Sequence, residues 1–133
     1  MTGQTVELPR TAGPDDALAG NWRVIGKPGD SLVEINWITN PFRAERFRDI
    51  WLPAAEAVLD YGATEWALIR SGDDPQHFVQ LAAFARKLDF ERYWYSEEIV
   101  DYRVQATGLF QVPIQPVWYT VEGAGQIVPE TAA

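Results

Sequence analysis

The sequence holds no cysteine, a single methionine and a single histidine, His77, among 133 residues. The lack of thiols excludes disulfides, cysteine nucleophiles, iron–sulfur ligation and most structural zinc sites. One imidazole leaves too few donors for a transition-metal centre, and the carboxylates lack the spacing of a calcium loop, so no metal is expected. Ser31, Ser71 and Ser96 are the only serines, and none sits in a nucleophile elbow. There is no dinucleotide-binding fingerprint, and no cofactor is expected. Positive charge is scarce as well. Eleven Lys and Arg stand against nineteen Asp and Glu, a net charge of −8, and a field of that sign repels phosphate backbones and anionic lipid. Neither nucleic acid nor a membrane is an expected partner. No run of about 18 apolar residues exists to span a bilayer. Residues 1–20 lack the basic start and apolar stretch of a leader, so a cytoplasmic location is the expectation.

Apolar residues make up 47% of the chain and aromatics 13%, with six tryptophans, which is enough for one packed domain. Residues 1–22, rich in Thr, Gly, Pro and Asp, read as a flexible N-terminal arm, and residues 123–133 as a flexible tail. The folded domain is expected over 23–122.

Within it the pattern alternates between strand and helix. Lys27-Pro28-Gly29-Asp30 is a turn, followed by a strand carrying Leu32, Val33, Ile35, Trp37 and Ile38. Asn40-Pro41 reads as an N-cap and first helical residue. Phe47, Ile50, Trp51, Ala54, Val58 and Leu59 then recur at helical spacing, with a kink expected at Pro53 and an end at Gly62. A strand from about Glu65 to Ser71 and another from His77 to Ala85 flank the turn Gly72-Asp73-Asp74-Pro75, a hairpin. Asp89 reads as the cap of a second helical region, which Ser96 recaps and Gly108 ends. Val117 to Val121 is the last strand. The order β-α-β-β-α-β on one antiparallel sheet is the ferredoxin-like, α+β arrangement, with both helices on one face. Both sides of the third strand carry large apolar groups, so the helix-free face needs a cover. A partner sheet supplies it, and a homodimer follows.

The third strand running into FARKLDFERYW, from Phe84 to Trp94, resembles the strand-to-helix passage of the dimeric α/β-barrel proteins, best known from the antibiotic biosynthesis monooxygenases. Phe84, Asp89 and Phe90 match the aromatic strand end, the acidic cap and the helix start of that passage. The resemblance implies a dimer whose two four-stranded sheets close into a barrel, with a pocket in each protomer between sheet and helices. Such proteins include cofactor-free oxygenases of phenolic or anthrone-like polyketides, aromatic polyketide cyclases and haem-degrading enzymes. In the oxygenase and haem-degrading branches the helix after the third strand commonly carries a histidine. This sequence has Tyr93, Trp94 and Tyr95 there, which sets it apart from the haem branch despite Asn36 on the first strand.

The implied activity is a cofactor-independent monooxygenase or cyclase acting on a hydrophobic, aromatic small molecule; the alternative is a binding or assembly protein that keeps the fold without catalysis. His77 is either the general base for a phenolic or enolic proton or a strand-entry residue beside the hairpin turn. Trp37, Trp66, Tyr93, Trp94, Tyr95, Tyr102 and Trp118 either line a pocket for flat ligands or fill the core and the interface. Arg70 shares a strand face with Trp66 and Leu68. It either holds an anionic oxygen or pairs with Asp73 or Asp74. Glu34 and Asn36, polar in mid-strand, line a cavity or face the centre of the barrel.

Overall fold

The computed structural model describes residues 26–127. The arm expected at 1–22 and the end of the expected tail, 128–133, lie outside the described residues. Four strands form one antiparallel sheet: β1 (Ser31–Ile38), β2 (Ala63–Arg70), β3 (His77–Phe84) and β4 (Val117–Thr120), in the spatial order β2-β3-β1-β4. The helices are α1 (Ala44–Glu56), α2 (Lys87–Trp94) and α3 (Glu97–Gln105). The fold is α+β and ferredoxin-like, with the second helical region split in two at Ser96. No described helix is long and apolar enough to cross a membrane.

Strand alternation sorts the side chains. Val33, Ile35 and Trp37 of β1 and Phe78, Gln80, Ala82 and Phe84 of β3 are buried. The register puts Trp66, Leu68 and Arg70 of β2 and Trp118 of β4 on that same side. From α1, Phe47, Trp51, Ala54 and Ala55 descend onto it, joined by Phe90 and Tyr93 of α2 and Ile99 of α3. Burying each large ring here contributes about 2–3 kcal/mol. The opposite sheet face carries no helix among the described residues. It presents Leu32, Ile38, Ile69, Val79, Leu81 and Tyr119, none of them buried.

Helix ends show where local signals held and where distant contacts overrode them. Ser96 caps α3 as its sequence indicated, its Oγ accepting from Ile99 N at 3.2 Å. Asn40 does not cap α1, which starts four residues later. Its side-chain amide donates instead to Gly108 O at 2.8 Å, and its own backbone N–H donates to Leu109 O at 2.9 Å. Long-range pairing with the 108–111 segment satisfies groups that a cap would have used. The chain then turns through Phe42 at φ 64°. At Pro53, where a kink was expected, α1 continues to Glu56 and only then tightens into a 3-10 helix, Ala57–Tyr61. Gly62, at φ 104°, ends it as expected. Asp89 lies inside the first turn of α2 rather than at its cap. Its carboxylate accepts from Arg86 at 2.7 Å and from Arg92 at 3.2 Å, and the Arg86 hydrogen bond, the largest influence, holds its carboxyl below the usual range.

Candidate functional site

Gln80 is the one amide on the helix-covered side of the sheet, and it is 1% exposed. A buried amide is costly unless bonded. Both lone pairs of its Oε1 are used, accepting from Trp51 Nε1 at 2.8 Å and Trp37 Nε1 at 3.0 Å. Its Nε2 donates to Tyr93 Oη at 3.1 Å, and that hydroxyl donates in turn to Ala54 O at 2.7 Å. Burial pushes the Tyr93 hydroxyl well above its ordinary value. Each of these side chains is hydrogen-bonded, so Trp37 and Tyr93 stand in the structure as bonded members of the core.

Beside that core, towards β4, the packing opens. Trp94, Phe110 and Trp118 are half-buried and rest on buried rings. Phe90 stacks on Trp94 with centroids 5.7 Å apart and meets Trp118 edge-on at 5.4 Å. Trp37 meets Phe110 edge-on at 5.0 Å and lies 6.1 Å from Trp94. The result is an aromatic wall built from β4, the end of α2 and the 106–111 segment. Arg103 stands over it. Its guanidinium lies 4.2 Å from the centre of a Trp94 ring and donates to Trp94 O at 2.9 Å.

The other expected site residues sit elsewhere. Trp66 and Trp118 fall in one cross-sheet row, Trp66–Ala82–Val33–Trp118, but on opposite edge strands, about 14 Å apart at the normal strand spacing. Arg70 is bonded to Glu45 at 3.0 Å and to Pro75 O at 2.6 Å, and lies over the Phe78 ring. Its carboxylate partner is therefore Glu45 on α1, not Asp73 or Asp74. That bond holds the Glu45 carboxyl below the usual range. His77 and Asn36 lie on the helix-free face, where His77 Nε2 donates to Asn36 Oδ1 at 2.6 Å. On that face too, Tyr119 Oη donates to Glu34 Oε1 at 3.1 Å. Among the described residues no three His, Asp or Glu side chains come together as a metal site.

Gln80, Phe110 and Arg103 were not singled out by sequence reasoning. Gln80 had a signal: it alternates with Phe78, Ala82 and Phe84 on one strand face. Arg103 had one too, because Ile99, Tyr102, Arg103 and Ala106 make the inward stripe of α3 at helical spacing.

The architecture is that of the antibiotic biosynthesis monooxygenase domains, a ferredoxin-like fold with its helices on one sheet face. Solved structures superpose on most of the chain. A protein of Nitrosomonas europaea, provisionally assigned as an antibiotic biosynthesis monooxygenase, matches with a TM-score of 0.64 at 16% identity, covering 74% of this chain and 95% of its own. A variant of SnoaB from Streptomyces nogalater, a cofactor-independent oxygenase, matches at 0.58 and 17% identity, over 77% and 99%. Rv0793 of Mycobacterium tuberculosis matches at 0.62 and 14% identity, over 73% and 99%. At these identities the likeness is one of fold. No family model matches the sequence, and no curated protein matches it.

Proposed function

We propose that the protein binds a flat, hydrophobic aromatic small molecule against the wall of Trp94, Phe110 and Trp118 and acts on it as a cofactor-independent oxygenase or cyclase. The observation carrying this reading is that these three rings are half-buried on the helix side of the sheet while the neighbouring Trp37, Trp51 and Tyr93 are sealed by the Gln80 network. Stacked and edge-on rings offer the faces and edges that a planar ligand packs against. The fold is one that a cofactor-independent oxygenase also uses, which supports the reaction class by analogy. For an anthrone-like substrate, a ring-flanked CH2 group loses a proton and the carbanion passes electrons to O2. One oxygen atom becomes the new ketone and the other leaves as water.

The functional unit in this reading is a homodimer. Leu32, Ile38, Ile69, Val79 and Leu81 form an apolar sheet face on which no helix of the described residues packs, and a second copy of the same face covers it. His77 and Asn36 then belong to the interface. That placement favours the second reading, binding without catalysis, because the one imidazole stands on the sheet face opposite the wall. One experiment separates the two. Dihydroxyanthrone is added to the protein while tryptophan fluorescence and oxygen uptake are followed against a protein-free control. Quenching with uptake above control supports the oxygenase, and quenching alone supports the binding protein. Trp94→Ala is expected to weaken binding by about 10-fold; unchanged affinity in that variant refutes the site.

A further inference from the structure

Phe42 is 96% exposed and stands in a left-handed turn at φ 64°. Bulky side chains rarely adopt that conformation, where glycine is the ordinary choice. Distant partners hold the turn in place. Asn40 donates to Gly108 O and to Leu109 O, and the Arg43 N–H donates back to Asn40 O at 3.0 Å. A fixed turn therefore holds an aromatic ring out in solvent, with no ring contact among the described residues. Arg43 and Arg46 stand beside it, both exposed and neither paired with a carboxylate among the described residues.

The bond to Gly108 brings this turn to the end of α3. The outward face of that helix carries Glu97, Val100, Asp101 and Val104 at helical spacing, all exposed. Glu97 and Asp101 also lack an ion pair among the described residues. Valines at two successive turns of a solvent face, flanked by unpaired acids, mirror an exposed ring flanked by unpaired arginines.

We infer that the Phe42 turn and the outer face of α3 are two halves of one contact between copies of this chain. Phe42 of one copy seats on Val100 and Val104 of another, with Arg43 and Arg46 against Glu97 and Asp101. Copies at a net charge of −8 repel one another overall, so a contact between them has to set cation against anion, as this one does. Each copy carries both halves, so a two-fold arrangement makes the contact twice. A ring already held in place loses little freedom on docking. The patch is small, so the association is weak and belongs to concentrated protein. It uses the helix layer rather than the helix-free sheet face, and stands independently of the dimer and ligand readings above.

The competing explanation is that Phe42 and the valines are isolated exposed apolar residues, which are common on surfaces. Sedimentation velocity separates the two. It is run at about 0.15 M salt, which screens the overall repulsion beyond about 8 Å but leaves charges in contact. Between about 10 μM and about 1 mM, the wild-type sedimentation coefficient is expected to rise above its dilute value. Phe42→Gly suits the backbone and is expected to keep the dilute value throughout. Arg46→Glu is expected to weaken the association by about 10-fold, and Asp101→Arg added to it to recover most of that loss. Leu81→Asp, on the sheet face, is expected to leave the rise in place. A flat wild-type curve, an undiminished rise in Phe42→Gly, no recovery in the paired variant, or loss of the rise in Leu81→Asp each overturns the inference.

Discussion

Replacing Gln80 by Leu tests the packing of the domain at its most committed point. Leucine has nearly the same volume and suits a site 1% exposed, so neither a cavity nor a clash is introduced. What disappears is Oε1, which accepts from Trp37 and Trp51 at 3.0 and 2.8 Å, and the donor that Tyr93 receives at 3.1 Å. Two buried indole N–H groups are left without an acceptor, at about 1–3 kcal/mol each. Burial of an apolar side chain in place of an amide offsets about 1.5–3 kcal/mol of that. The expected net loss is about 1–3 kcal/mol, a sizeable share of the roughly 5–15 kcal/mol that holds such a domain together. Urea unfolding followed by tryptophan fluorescence reads it as a lower midpoint at unchanged slope. A cycle with Trp51→Phe, which deletes one of the two donors, is expected to show a coupling of at least about 1 kcal/mol. A Gln80→Leu variant within about 0.5 kcal/mol of wild type, or additive with Trp51→Phe, refutes the hub.

Gly62→Ala puts a Cβ at φ 104° and 3.1 Å from Asp89 Oδ2; a loss of about 1–2 kcal/mol is expected in the same urea assay, and no loss contradicts the need for glycine. The folded-state pKa of Asp89 is depressed by Arg86, so its contribution is present above the unfolded carboxylate pKa and is lost as pH falls through the folded value. The melting-temperature gap between wild type and Asp89→Asn is therefore expected to be widest near neutrality and to close below about pH 4; a gap that widens in acid contradicts the assignment. Leu81→Asp places a charge on the helix-free face, on β3 between its partners Glu34 and Ala67. Light scattering is expected to give a dimer for wild type and a monomer for the variant, and a dimer in both removes this face as the interface.

The parts of the fold that were legible in the sequence are those decided within a few residues. The hairpin at Gly72-Asp73-Asp74-Pro75, the Ser96 cap and the left-handed Gly62 each act over one turn of chain. Asn40 misled because its partner, Gly108, is 68 positions away, and a distant carbonyl competed with the local cap. The partners of Gln80 lie 13, 29 and 43 positions off, so its role emerges only once three elements pack. Tryptophan enrichment marked an aromatic interior but not its division. Trp37 and Trp51 share one acceptor in the core, Gln80 Oε1, and Trp66 and Trp118 part company because the strand order puts β2 and β4 on opposite edges. Arg103 depends on how α3 lies against the end of α2, which no local pattern specifies.

The most direct test of the aromatic wall uses the six indole N–H groups as separate reporters. With nitrogen-labelled protein, each tryptophan gives its own indole signal, assigned by single Trp→Phe variants. On titration with anthracenecarboxylate, the signals of Trp94 and Trp118 are expected to move together and saturate, while those of Trp37 and Trp51, held by Gln80, stay in place. Movement of Trp37 and Trp51 with Trp94 unmoved, or of Trp66 alone, contradicts the placement of the site on the wall.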